Sequence, residues 1–236
     1  SRMLCSEQPR RLSDISTMPR LLFALLTIAV IPSASLRAQN TQAPEAIARA
    51  LQAKYASIRD FSADFVQTYR GGVLKTQTTE RGTVVVKKPG KMRWVYTSPE
   101  RKELVSDGKK IYWYGPEDKQ VVVSEMPAVD PAATPTLFLS GKGDIVRDFT
   151  ATILPGGTGN GIQLKLVPKR PEPEYEYLVV TVAPESMQMR ALMTHDRQGG
   201  ESTLTFTDMK ENRGVSDKTF EFRPPRGVNV VTDGAR

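Results

Sequence analysis

His195 and Asp196 are the adjacent residues whose types could bind a metal ion or take part in catalysis. They follow a predicted strand, residues 189–194, and precede a turn at Gly199 and Gly200. Neighbouring residues of a strand point to opposite faces of a sheet, so these two side chains cannot easily bind one metal ion together. The pattern favours an exposed strand end, and no metal site is expected.

Other motifs for catalysis are weak. The chain has one His and one Cys, which excludes zinc fingers, Cys–His proteases and disulfide scaffolds. A glycine-rich stretch at residues 156–161 lacks the Lys-Ser/Thr ending and the helix of a phosphate-binding loop, and is typical of a hairpin tip. Carboxylates are scattered, and spacing alone pairs none of them for acid–base chemistry. We therefore expect a protein that is not an enzyme and that needs no cofactor.

Aromatic residues are more informative, because they cluster in the first two thirds of the chain. The cluster consists of Phe61, Phe65, Trp94, Tyr96, Trp113, Tyr114 and Phe138. Met92, Trp94 and Tyr96 alternate with other residues and share one face of a predicted strand. Such a face either fills the core of a β-barrel or lines an open apolar cavity. Periodicity does not distinguish the two.

The elements that position these residues are mostly strands. One helix is predicted near residues 44–58, where Ile47, Leu51, Tyr55 and Ile58 form an apolar stripe. About 11 strands follow at hairpin spacing, including residues 145–154 and 219–222. Between them, Asp130-Pro131 and Thr134-Pro135 predict two short helical turns, the second carrying Leu137, Phe138 and Leu139. One antiparallel β domain with a few helices is predicted, and so long a sheet tends to curl towards a barrel.

The start of the chain has the features of an export signal. An apolar run of 11 residues, 21–31, follows Arg20 and precedes small residues up to Ala38. It is shorter than the ~20 residues of a membrane-spanning helix. A short buried helix is the alternative interpretation. We expect an upstream extension and a signal peptide in residues 1–38, cleaved after Ala38 or after Ser35, and a single domain in residues 39–236.

Composition and charge narrow the possible partners. Of the 236 residues, 39% are hydrophobic and 25% are charged, as is typical of a folded globular protein. The net charge of +7 falls to +4 for residues 39–236, and this mild excess of positive charge argues against nucleic acid as a partner. Cys5 precedes the apolar run, so residues 39–236 contain no cysteine, which suits an oxidising compartment.

Several segments, read in order, resemble one family. They are residues 65–67, Gly82, residues 86–94, residues 104–114, Thr134-Pro135, residues 166–169 and residues 220–228. Their order and spacing resemble the periplasmic outer-membrane lipoprotein carrier proteins, the LolA family, over residues 45–230. No single segment decides the match, whereas the combination is specific.

The resemblance implies a fold and a function. The fold is an incomplete, open antiparallel β-barrel with a helical lid over an apolar cavity. The function is that of a periplasmic chaperone that takes lipidated proteins from an ATP-driven release complex in the inner membrane and delivers them to an acceptor on the outer membrane. A monomer is expected. The alternative is a related sensor of lipids or lipoproteins, or a glycolipid carrier, on the same fold.

The resemblance also directs attention to particular residues. We expect Phe65, Met92, Trp94 and Tyr96 to face inward and contact acyl chains. Leu137, Phe138 and Leu139 would add apolar surface where the cavity closes. At the position before Pro89 the family often has an Arg that hydrogen-bonds the lid, and this chain has Lys88. Lysine keeps the charge but lacks the planar, multi-donor guanidinium group, so its contact with the lid is in question.

Overall fold

A computed structural model describes residues 43–71, 76–126, 139, 143–155 and 161–232 of the chain. Contacts divide the chain into two units, Ser1–Asn40 and Thr41–Arg236, and all described residues belong to the second. The predicted signal peptide, Leu137, Phe138 and both proline-initiated turns therefore lie outside the described residues. Within the described ranges, no helix is both long enough and apolar enough to cross a membrane.

The predicted first helix is confirmed as α1, Pro44–Ser57. Proline occupies its first turn, where a missing N–H costs nothing, and Glu45 lies at the positive end of the helix dipole. Ile47, Leu51 and Tyr55 are buried on one side. This stripe fixes which side of the helix packs on the rest of the protein.

Twelve described strands form one sheet. They are β1 Asp60–Arg70, β2 Gln77–Lys87, β3 Lys91–Ser98, β4 Lys102–Asp107, β5 Lys110–Gly115, β6 Gln120–Glu125, β7 Phe149–Ile153, β8 Ile162–Pro168, β9 Tyr177–Val182, β10 Met189–His195, β11 Glu201–Glu211 and β12 Asn229–Thr232. Their order is β12-β6-β5-β4-β3-β2-β1-β11-β10-β9-β8-β7. Neighbours are antiparallel except β12, which runs parallel to β6. The order begins at β12 and ends at β7, so the sheet is open, and the prediction of a mainly β, unclosed fold is confirmed.

Two predicted strands are wrong, the first in part and the second entirely. Residues 145–154 begin with a short helix, α2 Ile145–Asp148, and only then enter β7. The reason is a cap, because the Asp144 side chain accepts a hydrogen bond from the backbone N–H of Arg147, 2.8 Å away. Residues 219–222 are not a strand either, since a 3₁₀ helix, Asp217–Phe220, ends there with Phe220 buried. The twelfth strand, β12, was absent from the prediction.

Strand register defines an inner face of the sheet. Residues directly opposite each other on paired strands share a face, and Val84, Trp94 and Leu104 are opposite one another across β2, β3 and β4. This inner face joins the buried side of α1 in one hydrophobic core. On the outer face of β3 to β5, Arg93 donates a hydrogen bond to the Thr219 carbonyl at 2.8 Å, and Phe222 stacks on Tyr112. The C-terminal segment thus covers the outer face, while α1 packs on the inner one.

Candidate functional site

Three aromatic rings meet on the inner face. The Phe65 ring lies edge-on to Trp94, with centroids 5.0 Å apart, and edge-on to Tyr96, with centroids 5.1 Å apart. Phe65 and Trp94 are each 2% exposed and Tyr96 is 9% exposed. Met92 lies on the same face of β3 and is also buried. The structure therefore brings together the four residues predicted for the inner face.

Gly82 makes room for this cluster. It lies opposite Phe65 on β2, next to an irregularity in the pairing with β3. A Cβ atom at this position would lie 2.1 Å from the Val95 carbonyl oxygen and 2.9 Å from the Phe65 ring. Any side chain would displace the β3 backbone or the ring. The glycine in the sequence thus marks a close approach between strands beneath the cluster.

The inner face becomes polar beyond Tyr96. The Tyr96 hydroxyl donates to Gln67 Oε1 at 3.3 Å, and Gln67 Nε2 donates to Ser202 Oγ at 3.1 Å. Lys102 pairs with Glu80, and its ammonium lies 4.6 Å from the centre of the Tyr96 ring. Burial, together with the charge of Glu80, raises the pKa of Tyr96 to about 12. The phenol is therefore a neutral donor at any physiological pH.

Trp113 extends the aromatic surface on the same face. It lies opposite Leu104, which lies opposite Trp94, so all three point inward. Its ring centroid is 6.2 Å from that of Tyr96, yet the residue is 38% exposed. In the described part of the chain, the inner face is thus dry around Phe65 and Trp94 and more open towards β5.

Lys88 contacts the helix that packs on the inner face. Its ammonium donates a hydrogen bond to the backbone carbonyl of Tyr55, in the last turn of α1, and lies 3.5 Å from the centre of the Tyr55 ring. The Tyr55 hydroxyl in turn donates to the backbone carbonyl of Leu139, which is itself buried. Lys88, Tyr55 and Leu139, here called the clasp, link the β2–β3 turn, α1 and the segment that carries Leu139.

Burial shifts the pKa of both side chains in the clasp. Desolvation lowers the pKa of Lys88 from 10.5 to about 8 and raises that of Tyr55 well above its usual value. The ammonium is therefore less strongly protonated than an exposed lysine. A single carbonyl and one ring face compensate for the water it has lost.

A narrow apolar pocket lies beside the clasp. It is lined by Leu51, Lys54, Tyr55, Ile58, Phe61, Leu139, Met187, Met189 and Met209. Methionine side chains are flexible and adapt to irregular apolar surfaces. The sequence pattern did not point to Met187, Met189 and Met209, because all three lie far along the chain from α1.

His195 and Asp196 act separately, as strand alternation predicts. Asp196 accepts hydrogen bonds from the backbone N–H groups of Gln198 and Gly200 and so stabilises its own turn. His195 stacks on Tyr177, with ring centroids 4.6 Å apart, and Glu176 and Glu201 lie 3.8 and 3.7 Å from its two nitrogens. Across the described ranges, no three His, Cys, Asp or Glu side chains are placed to hold a metal ion.

Comparison with known proteins gives one family. The model of the family described as outer membrane lipoprotein carrier protein LolA matches residues 56–223. An outer-membrane lipoprotein carrier protein of Chromohalobacter salexigens is 32% identical over 83% of this chain and 91% of its own length. A protein of the same name from Nitrosospira multiformis is 30% identical over 74% of this chain and 83% of its own length.

Solved structures also show likeness to the chain. An uncharacterised conserved protein from Thermus thermophilus has a TM-score of 0.49 at 13% identity, covering 80% of this chain and 98% of its own. A LolA superfamily protein from Nitrosomonas europaea has a TM-score of 0.40 at 13% identity, covering 74% of this chain and 97% of its own.

Proposed function

Because the chain belongs to the LolA family of outer-membrane lipoprotein carrier proteins, we propose that it carries lipoproteins through the periplasm to the outer membrane. The acyl chains of the cargo are held against the inner face by Phe65, Met92, Trp94 and Tyr96. Leu137, Phe138 and Leu139 add further apolar surface to the site. The observation that carries this proposal is the buried aromatic cluster of the inner face, which shares one hydrophobic core with the buried side of α1.

The energetics of acyl chains explain why such a surface is needed. Burying each methylene contributes about 0.8 kcal/mol, so each chain of 14 methylenes contributes roughly 11 kcal/mol of hydrophobic transfer free energy, and several chains together anchor a lipoprotein stably. A lipoprotein leaves its membrane at a useful rate only if another apolar surface replaces that burial. An inner face rich in aromatic residues and methionine provides such a surface.

The aromatic rings of the inner face pack against one another in the described conformation. Phe65, Trp94 and Tyr96 already fill one another's space, so an acyl chain reaches them only after these rings have moved apart. The clasp fastens α1 to the β2–β3 turn and so opposes any opening that moves α1. Lysine contributes one ammonium group where arginine would contribute a five-donor fork, so the clasp of this chain opens at lower cost.

Membership of the family supports a proposal for the partners as well. The carrier receives its cargo from an ATP-driven release complex in the inner membrane and passes it to an acceptor on the outer membrane. It works as a monomer in the periplasm, performs no catalysis and binds no nucleic acid. The periplasmic location agrees with the export signal predicted in residues 18–38 and with the absence of cysteine from residues 39–236.

A transfer assay tests the proposal. The purified protein is mixed with membranes that hold a labelled triacylated lipoprotein and the release machinery, and the soluble fraction is then added to outer membranes. We expect a soluble complex of carrier and cargo, followed by appearance of the cargo in the outer membranes. The matched control is the same cargo with its lipidated cysteine replaced by serine, which should form no complex. If no lipidated cargo enters the soluble fraction, the proposal is wrong.

A further inference from the structure

The indole N–H of Trp94 is a buried donor without an acceptor. Trp94 is 2% exposed, and within the part of the chain that the structure describes no oxygen accepts a hydrogen bond from Nε1. A buried polar group left unpaired has lost its hydrogen bonds to water and gained nothing in exchange. Native proteins satisfy nearly all such groups, so this one is an exception that needs a physical reason.

The described residues around Trp94 provide no hydrogen-bond acceptor for its indole N–H. Aliphatic residues, Val84 and Leu104, lie directly opposite it on the neighbouring strands, and the Phe65 ring lies against it. The polar groups further along the same face bond to each other, with Tyr96 donating to Gln67 and Gln67 donating to Ser202. The donor therefore lies in an apolar site, beside a network whose own hydrogen bonds are already made.

We propose that the Trp94 N–H donates a hydrogen bond to the carbonyl oxygen through which an acyl chain is attached to its cargo. The inference rests on the proposed function and adds a polar contact to it. Every acyl chain ends in an ester or amide carbonyl, which is an acceptor that also loses its water when the chain is buried. Pairing this oxygen with the indole N–H satisfies both groups at once.

The contact gives the site a specificity that hydrocarbon burial lacks. An alkyl ether of the same length buries the same methylenes but has no carbonyl oxygen. A site with an unpaired donor discriminates against the ligand that leaves the donor unpaired, since the cost of the buried N–H remains. The inner face of this carrier therefore recognises acyl chains in preference to plain alkyl chains.

Nuclear magnetic resonance on the unmodified protein provides the first test. The chain has two tryptophans, Trp94 and Trp113, so a ¹⁵N-labelled sample shows two indole N–H signals, which Trp94→Phe and Trp113→Phe variants assign. Monopalmitoylglycerol supplies an ester, palmitoylethanolamide an amide and hexadecylglycerol an ether. We expect the Trp94 indole proton to move downfield with the ester and the amide but not with the ether. An equal shift with the ether, or no shift when the ester is bound, overturns the inference.

Relative affinity provides the second test. We expect the wild-type protein to bind the ester about threefold to tenfold more tightly than the ether, the range for one net hydrogen bond. In Trp94→Phe this ratio should fall to about one, whereas Trp113→Phe should keep it. A ratio that survives in Trp94→Phe overturns the inference even where the ester binds well. Should none of the three ligands bind the wild-type protein, the proposed function itself fails, and the inference fails with it.

Discussion

At the scale of single residues, Phe65 belongs both to the hydrophobic core and to the proposed acyl site. Its ring contacts both Trp94 and Tyr96, so Phe65→Ala should remove about 3–5 kcal/mol of stability by leaving a cavity. If the inner face binds acyl chains, a bound chain fills that cavity. We therefore expect monopalmitoylglycerol to raise the melting temperature of Phe65→Ala more than that of the wild type in thermal unfolding.

A phenylalanine on the other face serves as the control for this measurement. Phe222 stacks on Tyr112 across the outer face, with ring centroids 5.3 Å apart. Phe222→Ala should lower the melting temperature without gaining any additional stabilisation from the lipid. Equal lipid effects on both variants would show that the cavity at Phe65 is not an acyl site.

Lys88 is the basis of a second prediction at this scale, which concerns how the free energy of unfolding depends on pH. Its pKa in the folded protein, about 8, is below its value of 10.5 in an unfolded chain, because burial disfavours the ammonium. Between these values the unfolded state binds more protons than the folded state, so stability rises with pH. We expect the free energy of unfolding of the wild type, minus that of Lys88→Met, to increase from pH 8 to pH 10. Urea unfolding at each pH measures this difference. If the difference stays constant or decreases between pH 8 and pH 10, burial does not lower the pKa of Lys88.

At the scale of elements, we expect the clasp to influence how easily α1 leaves the sheet. A ligand that binds only the open form must overcome the stability of the closed form. Removing the Lys88 contact with Tyr55 should therefore raise the apparent affinity for cargo and slow its release. We expect Lys88→Met to accumulate a soluble complex with lipoprotein and to deliver less of it to outer membranes, while Lys88→Arg should deliver normally.

The neighbouring lysine is the matched control for this prediction. Lys87 lies on the other side of β2, where it donates to the Val215 carbonyl at 2.8 Å and pairs with Asp217. Lys87→Met removes a positive charge next to the same turn and leaves the Lys88 contact with α1 in place. If Lys87→Met and Lys88→Met retain cargo equally, loss of charge and not the clasp is responsible.

Elements were predictable from the sequence where a local pattern specifies them. The stripe of Ile47, Leu51 and Tyr55 specified α1, and alternation placed Met92, Trp94 and Tyr96 on one buried face. Capping by Asp144 overrode the apolar run at the start of β7, where propensity alone suggested a strand. The strand β12 was missed because its residues are all exposed and show no alternation.

The contacts that build the site were not predictable in this way. Tyr55 bonds to the Leu139 carbonyl across 84 positions of the chain, and Gln67 bonds to Ser202 across 135. No local pattern encodes such pairs, since they depend on how the sheet curves and which strands become neighbours. The orphaned N–H of Trp94 likewise becomes visible only when every acceptor around it has been located.

At the scale of the whole molecule, the open sheet separates two tasks. The C-terminal segment covers the outer face of β3 to β5, through contacts of Thr219 with Arg93 and of Phe222 with Tyr112. On the inner side, α1 residues and Leu139 belong to the hydrophobic core, and the clasp fastens α1 to the β2–β3 turn. We therefore expect the outer side to maintain the fold and the inner side to exchange core contacts for those of a ligand.

The last prediction concerns the cell that makes this protein. Lipoproteins cannot cross an aqueous periplasm unaided, because each acyl chain would expose hydrocarbon that a bilayer holds by about 0.8 kcal/mol per methylene. Depletion of the carrier should therefore leave many outer-membrane lipoproteins in the inner membrane, and expression of the wild-type protein should restore their distribution. Fractionation of the two membranes followed by mass spectrometry measures this. A lipoprotein-sensing module on the same fold predicts the opposite pattern, with altered signalling and unchanged distribution, and that result would contradict a carrier function.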